Sequence, residues 1–405
     1  MKKPHDPLRL WLTLMGAGAA VSLAAALCTH GQALVDSLYG KGHGYLMDYF
    51  THIAYVDDPA RVYESTAHAC FPPLAYCLYY LLRMISTVMP ENGWLYHTLF
   101  RADYPSLLVY TVYSCLLAAA VCMLLRRWLH RRSTGTALLT AGLLLLSNVF
   151  VAGLLERGNS AYIALALLIA ALLLRDSPQP WKREAALILI ALAAGLKLYP
   201  AVFGLLYLKE KRWREAARLV AYGLLFFFVP FVFFGGWNGF LLFLQNQRAI
   251  QLDSGNGWSV DSLVRALLRH AGLGGEAIAA PAVSLLFAAF CLFGAYRTKE
   301  TWRELTLLTA LFVFLPRGNG YYVHCYWLLP LLSFFSTPQP RRASFVFPVL
   351  FAALFLPMVA LSYESSLRFT AAAAYLVTLG AGGTWGTLRG GFSKRSPSQT
   401  LPKSE

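Results

Sequence analysis

The chain has 405 residues, of which 57% are apolar and only 14% charged. A soluble protein carries roughly a quarter charged residues, so that class is excluded. The net charge of +15 is explained without nucleic acid: 24 of the 35 lysines and arginines fall in seven short clusters beside long apolar runs, and short basic loops flanking membrane spans stay in the cytoplasm.

The clusters fix a predicted topology. Helix 1 covers about residues 10–29 and runs outward from Lys2, Lys3 and Arg9; its length and the many later spans argue for an uncleaved first helix. A long outer segment follows over about 30–103. Its apolar stretch 72–89 is placed as a helix lying in the interface, because a span there would put every later basic loop outside. Residues 104–125 return inward, and 135–155 with 160–174 form a hairpin whose outer turn is Glu156-Arg157-Gly158-Asn159.

Residues 185–208 lie between two basic loops and must enter and leave on one side. At 1.5 Å per residue they are too short to cross ~30 Å twice. They are read as a short re-entrant pair broken at Lys197-Leu198-Tyr199-Pro200, with Pro200 interrupting the helix. Helix 7 (216–235) leads to a second long outer segment, about 236–277; spans at 278–295, 304–316, 326–336, 344–361 and 370–388 complete about 12 membrane segments. The predicted fold is all-α and polytopic: a single transmembrane domain over 1–392, with a cytoplasmic tail at 393–405 and both termini inside.

The seven cysteines are scattered, odd in number and form no Cys-x-x-Cys pair, so no disulfide framework, metal site or cofactor is predicted. The chemistry therefore rests on polar residues of the outer segments. Asp48 sits among apolar and aromatic neighbours, where desolvation lifts a carboxylate towards the pKa of a working base; the alternative is a carboxylate capping a loop helix. Lys197, at the apex of the re-entrant pair, needs an anionic partner, since a lone intramembrane lysine costs ~2.5–3.5 kcal/mol. Glu156 and a substrate phosphate are the two candidates, and Arg157 beside Asn159 has the same choice.

Gln245-Asn246-Gln247-Arg248, Asn256 and Ser259 beside Trp258 supply the amides and aromatic face that a sugar site uses, although a solvated loop has the same composition. Arg317, Tyr322 and His324 cap the hairpin of helices 9 and 10, either as a phosphate clamp or as headgroup anchors.

Several of these pieces, in this order, resemble the GT-C class of integral-membrane glycosyltransferases, and within it glycosyltransferase family 87. The residues that carry the likeness are Asp48 after helix 1, Phe71-Pro72-Pro73-Leu74, Gly158-Asn159, Lys197-Leu198-Tyr199-Pro200, Asn256 with Ser259, and Tyr322-Val323-His324. The resemblance implies an inverting hexosyltransferase with Asp48 as base and no tightly bound metal. It implies a polyprenyl-phosphate sugar as donor, mannose or a similar hexose or pentose being carried to a lipid or glycan acceptor. A donor already bearing a phosphate leaving group needs one base and cations, which is what these segments offer. The expected setting is a bacterial inner membrane with the site on the periplasmic or extracellular face. Two other activities suit the same features: a flippase or transporter of a lipid-linked sugar, and a glycan ligase using a diphosphate-linked donor.

Overall fold

A computed structural model describes residues 6–39, 47–64, 69–85, 104–151, 157–253, 257–357 and 363–383. The described residues are helical, with no strand among them. In chain order the helices are α1 (Pro7–Cys28), α2 (Gln32–Tyr39), α3 (Met47–Tyr55), α4 (Pro73–Met84), α5 (Tyr104–Trp128), α6 (Thr134–Leu145), α7 (Ala161–Leu174), α8 (Pro180–Leu196) and α9 (Leu205–Lys209). They continue with α10 (Trp213–Phe228), α11 (Gly236–Asp253), α12 (Val260–His270), α13 (Glu276–Arg297), α14 (Thr301–Phe314), α15 (Leu328–Ser336), α16 (Ala343–Phe355) and α17 (Tyr363–Gly382).

Four helical segments are long and apolar enough to cross a bilayer: α1, α5, α10 with its continuation to Val232, and α13. They leave large apolar side chains uncovered, among them Leu23, Leu116, Val220 and Leu285, each at least 60% exposed. Other apolar helices are shorter than the expected spans. The segment expected at 135–155 stops being helical at Leu145, where the Ser147 hydroxyl donates to the Leu144 carbonyl and a new turn starts at Asn148. The helix expected at 344–361 ends at Phe355, just before Pro357. The stretch 326–336 begins as a 3-10 turn, Tyr321–Trp327, before α15. Helix length thus accounts for four spans; it does not establish the expected twelve segments.

The basic clusters converge. Asp6 caps α1 by accepting from the Leu8 N–H and pairs with Arg132 at 2.6 Å, which joins the N-terminus to the α5–α6 loop. Arg212 donates to the Arg175 carbonyl (3.1 Å), and Arg183 meets Glu215 (3.5 Å). Lys209 bonds the carbonyls of Ala295 and Thr298 (both 2.8 Å) and pairs with Glu304 (2.9 Å). Three of the clusters therefore meet at the C-terminal end of α7. The opposite end of α7, about 21 Å away at 1.5 Å per residue, begins at Asn159 and Ser160.

Helix α8 starts beside that basic end and packs on α7. At Lys197 the backbone turns extended (φ −149°, ψ 126°), and the 3-10 turn Tyr199–Gly204 with α9 brings the chain back to Arg212 beside Arg175. The break falls where Lys197 and Pro200 predicted it. Helix α4 spans about 18 Å, too short to cross. It is seated tightly on α8: a Cβ on Gly195 would lie 2.7 Å from the Leu74 Cδ2.

Candidate active site

Helix α3 presents Asp48 in its first turn, while Tyr49 and Phe50 are fully buried beside Tyr110. The turn before α7 clamps this helix. The Tyr49 N–H donates to the Arg157 carbonyl at 3.0 Å. Gly158 has φ +63°, and a Cβ there would lie 2.7 Å from Tyr110 Cε2 and 2.8 Å from Tyr49 Cβ, so glycine is required both for the backbone and for the approach.

Asn159 works in two directions. Its Oδ1 accepts the Ala161 N–H (2.9 Å), satisfying an orphan donor at the start of α7, and its Nδ2 donates to Asp48 Oδ2 (2.7 Å). Arg157 Nη1 donates to the other carboxylate oxygen at 3.2 Å. Burial by itself pushes the Asp48 carboxyl up. Arg157, the Asn159 hydrogen bond, His52 and Lys197 together outweigh it and hold the pKa below the ordinary carboxylate value. The lifted pKa expected from apolar sequence neighbours is therefore corrected: the partners that reverse its sign arrive from α7 and α8.

Lys197 reaches the same place from the end of α8. It is 4% exposed, and its Nζ stands 3.1 Å from the centre of the Phe71 ring and 5.1 Å from that of Tyr322. Among the described residues it has no ion pair or hydrogen bond; these ring faces, the Cys70 side chain and the longer-range field of Asp48 are its surroundings. Glu156, the protein partner considered from sequence, lies outside the described residues.

His52 completes the cluster, and sequence reasoning missed it. It stands one helical turn beyond Asp48 on the same face, the i, i+4 spacing that would have revealed it. Its ring centre lies 3.7 Å from that of Phe71, tilted, and stacks 5.2 Å from that of Tyr79, and among the described residues its buried Nδ1 has no hydrogen bond. Burial drives its pKa down to about 3, with Lys197 pushing the same way against the pull of Asp48; the imidazole is neutral at physiological pH.

Of the residues singled out from sequence, Asp48, Arg157, Asn159, Lys197 and Tyr322 come together here. Ser259, Arg317 and His324 belong to a second neighbourhood. The Ser259 hydroxyl caps α12 by accepting from the Ser262 N–H at 3.2 Å. Arg317 faces Asp261 at 3.4 Å. His324 is fully buried beside Trp258 (6.1 Å between ring centres) and Tyr321 (5.5 Å), with neither ring nitrogen hydrogen-bonded among the described residues. Asn256 lies outside the described residues.

The amides of α11 turn out to be tethers: Asn246 donates to the carbonyls of Tyr63 and Ala69 (both 3.0 Å) and Gln247 to that of Cys70. They fix α11 onto the stretch that carries Tyr63, Ala69 and Cys70. Among the described residues, no group of three or more His, Cys, Asp or Glu is placed to hold a metal ion.

Fold and site together define a helical membrane protein that pairs a carboxylate with an arginine, near a buried lysine that has no ion pair among the described residues. The profile of Glycosyltransferase family 87 matches residues 70–316, more than half of the chain. The chain belongs to that family, and it is a glycosyltransferase. No curated protein matches it. The matched stretch contains Arg157, Asn159, Lys197 and Ser259; Asp48 precedes it, and Arg317, Tyr322 and His324 follow it.

Proposed function

We propose that this glycosyltransferase moves a sugar, a hexose such as mannose or a similar pentose, from a polyprenyl-phosphate donor to a lipid or glycan acceptor on the outer face of a bacterial inner membrane. The observation that carries the proposal is the pairing of one ionised carboxylate, Asp48, with two cations of different status. Arg157 is already engaged with Asp48 at 3.2 Å, whereas Lys197, standing over the Phe71 and Tyr322 rings, makes no ion pair among the described residues. A buried cation without an anion is costly, and the donor phosphate supplies one.

In the proposed reaction the acceptor hydroxyl oxygen attacks the anomeric carbon from the face opposite the phosphate. The bond between that carbon and the phosphate oxygen breaks, and its electron pair leaves with the polyprenyl phosphate. Single displacement inverts the anomeric carbon. Asp48 takes the hydroxyl proton as the new bond forms, when that hydroxyl becomes strongly acidic, so a carboxylate with a low pKa is competent. Lys197 and Arg157 neutralise the charge that grows on the phosphate. Asn159 orients the carboxylate, and the Tyr322 ring beside Lys197 offers a face to the sugar. No general acid is needed, because phosphate leaves without protonation.

The sidedness follows from the basic clusters, which we place in the cytoplasm with both termini; Asp48 and Lys197 then lie outside. The segment 185–208 is read as re-entrant on the same grounds, its broken apex facing protein or a wet cavity. The test is a donor comparison with the purified chain in liposomes. Transfer from polyprenyl-phosphate mannose or a related lipid-phosphate sugar, and none from nucleotide sugars, is expected. Transfer from nucleotide sugars alone contradicts the proposal, as does labelled lipid crossing the bilayer without any transfer.

A further inference from the structure

A second cationic feature lies away from Asp48, at the outer ends of α13 and α14. Arg317 follows α14, and its backbone N–H and that of Gly318 are held by the Gln251 side-chain oxygen (2.8 and 3.4 Å). Its guanidinium is nevertheless under-used. Among the described residues it makes no hydrogen bond; Nε is buried and only faces Asp261 Oδ2 at 3.4 Å. Asp261 is already taken by Arg265, which reaches both carboxylate oxygens at 2.6 and 3.2 Å. Two arginines thus share one carboxylate, and the fork of Arg317 is the unfilled one.

That fork opens into a cleft of about 390 Å³ whose walls include Asp261, Pro281, Ser284, Ala288 and Leu315. Pro281, Ser284 and Ala288 recur at helical spacing and form one stripe along α13. The stripe runs about 10 Å from the charged end towards the middle of the helix. Its rim is the uncovered face of α13, with Leu285 at 72% and Ile278 at 80% exposure. Because α13 is a membrane-length helix, this rim meets hydrocarbon while the Arg317 end meets the headgroup layer. A cation with a bidentate fork at the head of a shallow, open apolar cleft facing lipid matches one chemistry: a phosphate ester on a long apolar tail.

We propose that this cleft is a second lipid-phosphate site, with the phosphate on Arg317 and the first part of the tail along the α13 stripe. The site uses none of the residues of the Asp48 cluster, so it stands or falls separately from the reaction proposed above. Two lipids carry this chemistry, a prenyl phosphate and an anionic phospholipid.

The test uses the purified full chain in detergent, in an Arg157→Gln/Lys197→Gln background that removes cationic competition near Asp48. Binding of farnesyl phosphate and of phosphatidylglycerol is measured by native mass spectrometry. At least one of the two lipids is expected to bind, which identifies the source. Adding Arg317→Gln is expected to weaken that binding at least tenfold, and Arg317→Lys less, since lysine lacks the fork. Ser284→Phe covers the cleft floor and leaves the Arg317–Asp261–Arg265 group intact, so its expected loss of binding does not depend on the stability of the ion pairs. Undiminished binding in both Arg317→Gln and Ser284→Phe overturns the proposal, as does the absence of binding by either lipid in the background protein.

Discussion

Replacing Gly158 by alanine tests the clamp that holds Asp48. The position has φ +63°, a conformation that costs an L-residue roughly 1–2 kcal/mol. The added methyl also lies 2.7 Å from Tyr110 Cε2 and 2.8 Å from Tyr49 Cβ. Neither ring has room to retreat: Tyr49 is fully buried and packs 4.9 Å from Tyr110 and 5.5 Å from Tyr113. Overpacking of this kind costs about 1–3 kcal/mol, so the two effects together come to about 2–5 kcal/mol.

Part of that is relieved by moving the turn, which carries Arg157 and Asn159 away from Asp48. A displacement near 1 Å lowers rate by about a hundredfold. Gly142→Ala is the control, since nothing lies within 4 Å of a Cβ there; inside α6 it is expected to stabilise by about 0.5–1 kcal/mol. The assay is thermal unfolding in detergent with sugar transfer measured on the same preparations. Gly158→Ala with an unchanged melting temperature and full transfer refutes the reasoning.

Other residues give sharper chemical outcomes. Lys197→Met removes a buried charge that has no counter-ion among the described residues, so it is expected to leave the melting temperature unchanged or higher while abolishing donor binding; loss of stability in that variant contradicts the unpaired state. For Asp48, a folded pKa below its unfolded value means stability that is present above the unfolded pKa and lost as pH falls through the folded one. The acid limb of the transfer rate is accordingly expected below the usual carboxylate range, and Arg157→Gln is expected to move it upward in a pH profile of kcat/KM. His52 has its pKa lowered from 6.5 to about 3, so the unfolded chain binds more protons between those values and stability rises with pH across that window. His52→Phe is expected to flatten that part of a plot of melting temperature against pH.

Much of the architecture could be read from the chain because its signals are local. Helices α1, α5, α10 and α13 follow long apolar runs with basic residues at one end, and the break at Lys197 follows from a short segment ending near a proline. The premature end of α6 was obscured because Ser147 and Asn148 are two polar residues inside a long apolar stretch, and hydropathy averages over them. In the site, Asp48, Arg157, Asn159 and Lys197 were named singly from residue type and resemblance. Their grouping was not legible, since Asn159 meets Asp48 across 111 positions.

The same separation explains the reversed pKa of Asp48: its sequence neighbours supply the desolvation, and distant ones supply the charge. Asn246 and Gln247 looked like sugar-binding amides; their bonds to backbone carbonyls 177–183 positions earlier make them struts. His52 carried a readable signal, its one-turn spacing from Asp48.

The most direct measurement is sugar transfer from a polyprenyl-phosphate sugar by purified Asp48→Asn beside the unaltered chain, with donor binding measured in both. A general base contributes about 10²–10⁴-fold, so transfer is expected to fall by at least a hundredfold while the donor still binds through Lys197 and Arg157. Equal transfer by the two proteins contradicts the central claim, and moves the base elsewhere on the outer face.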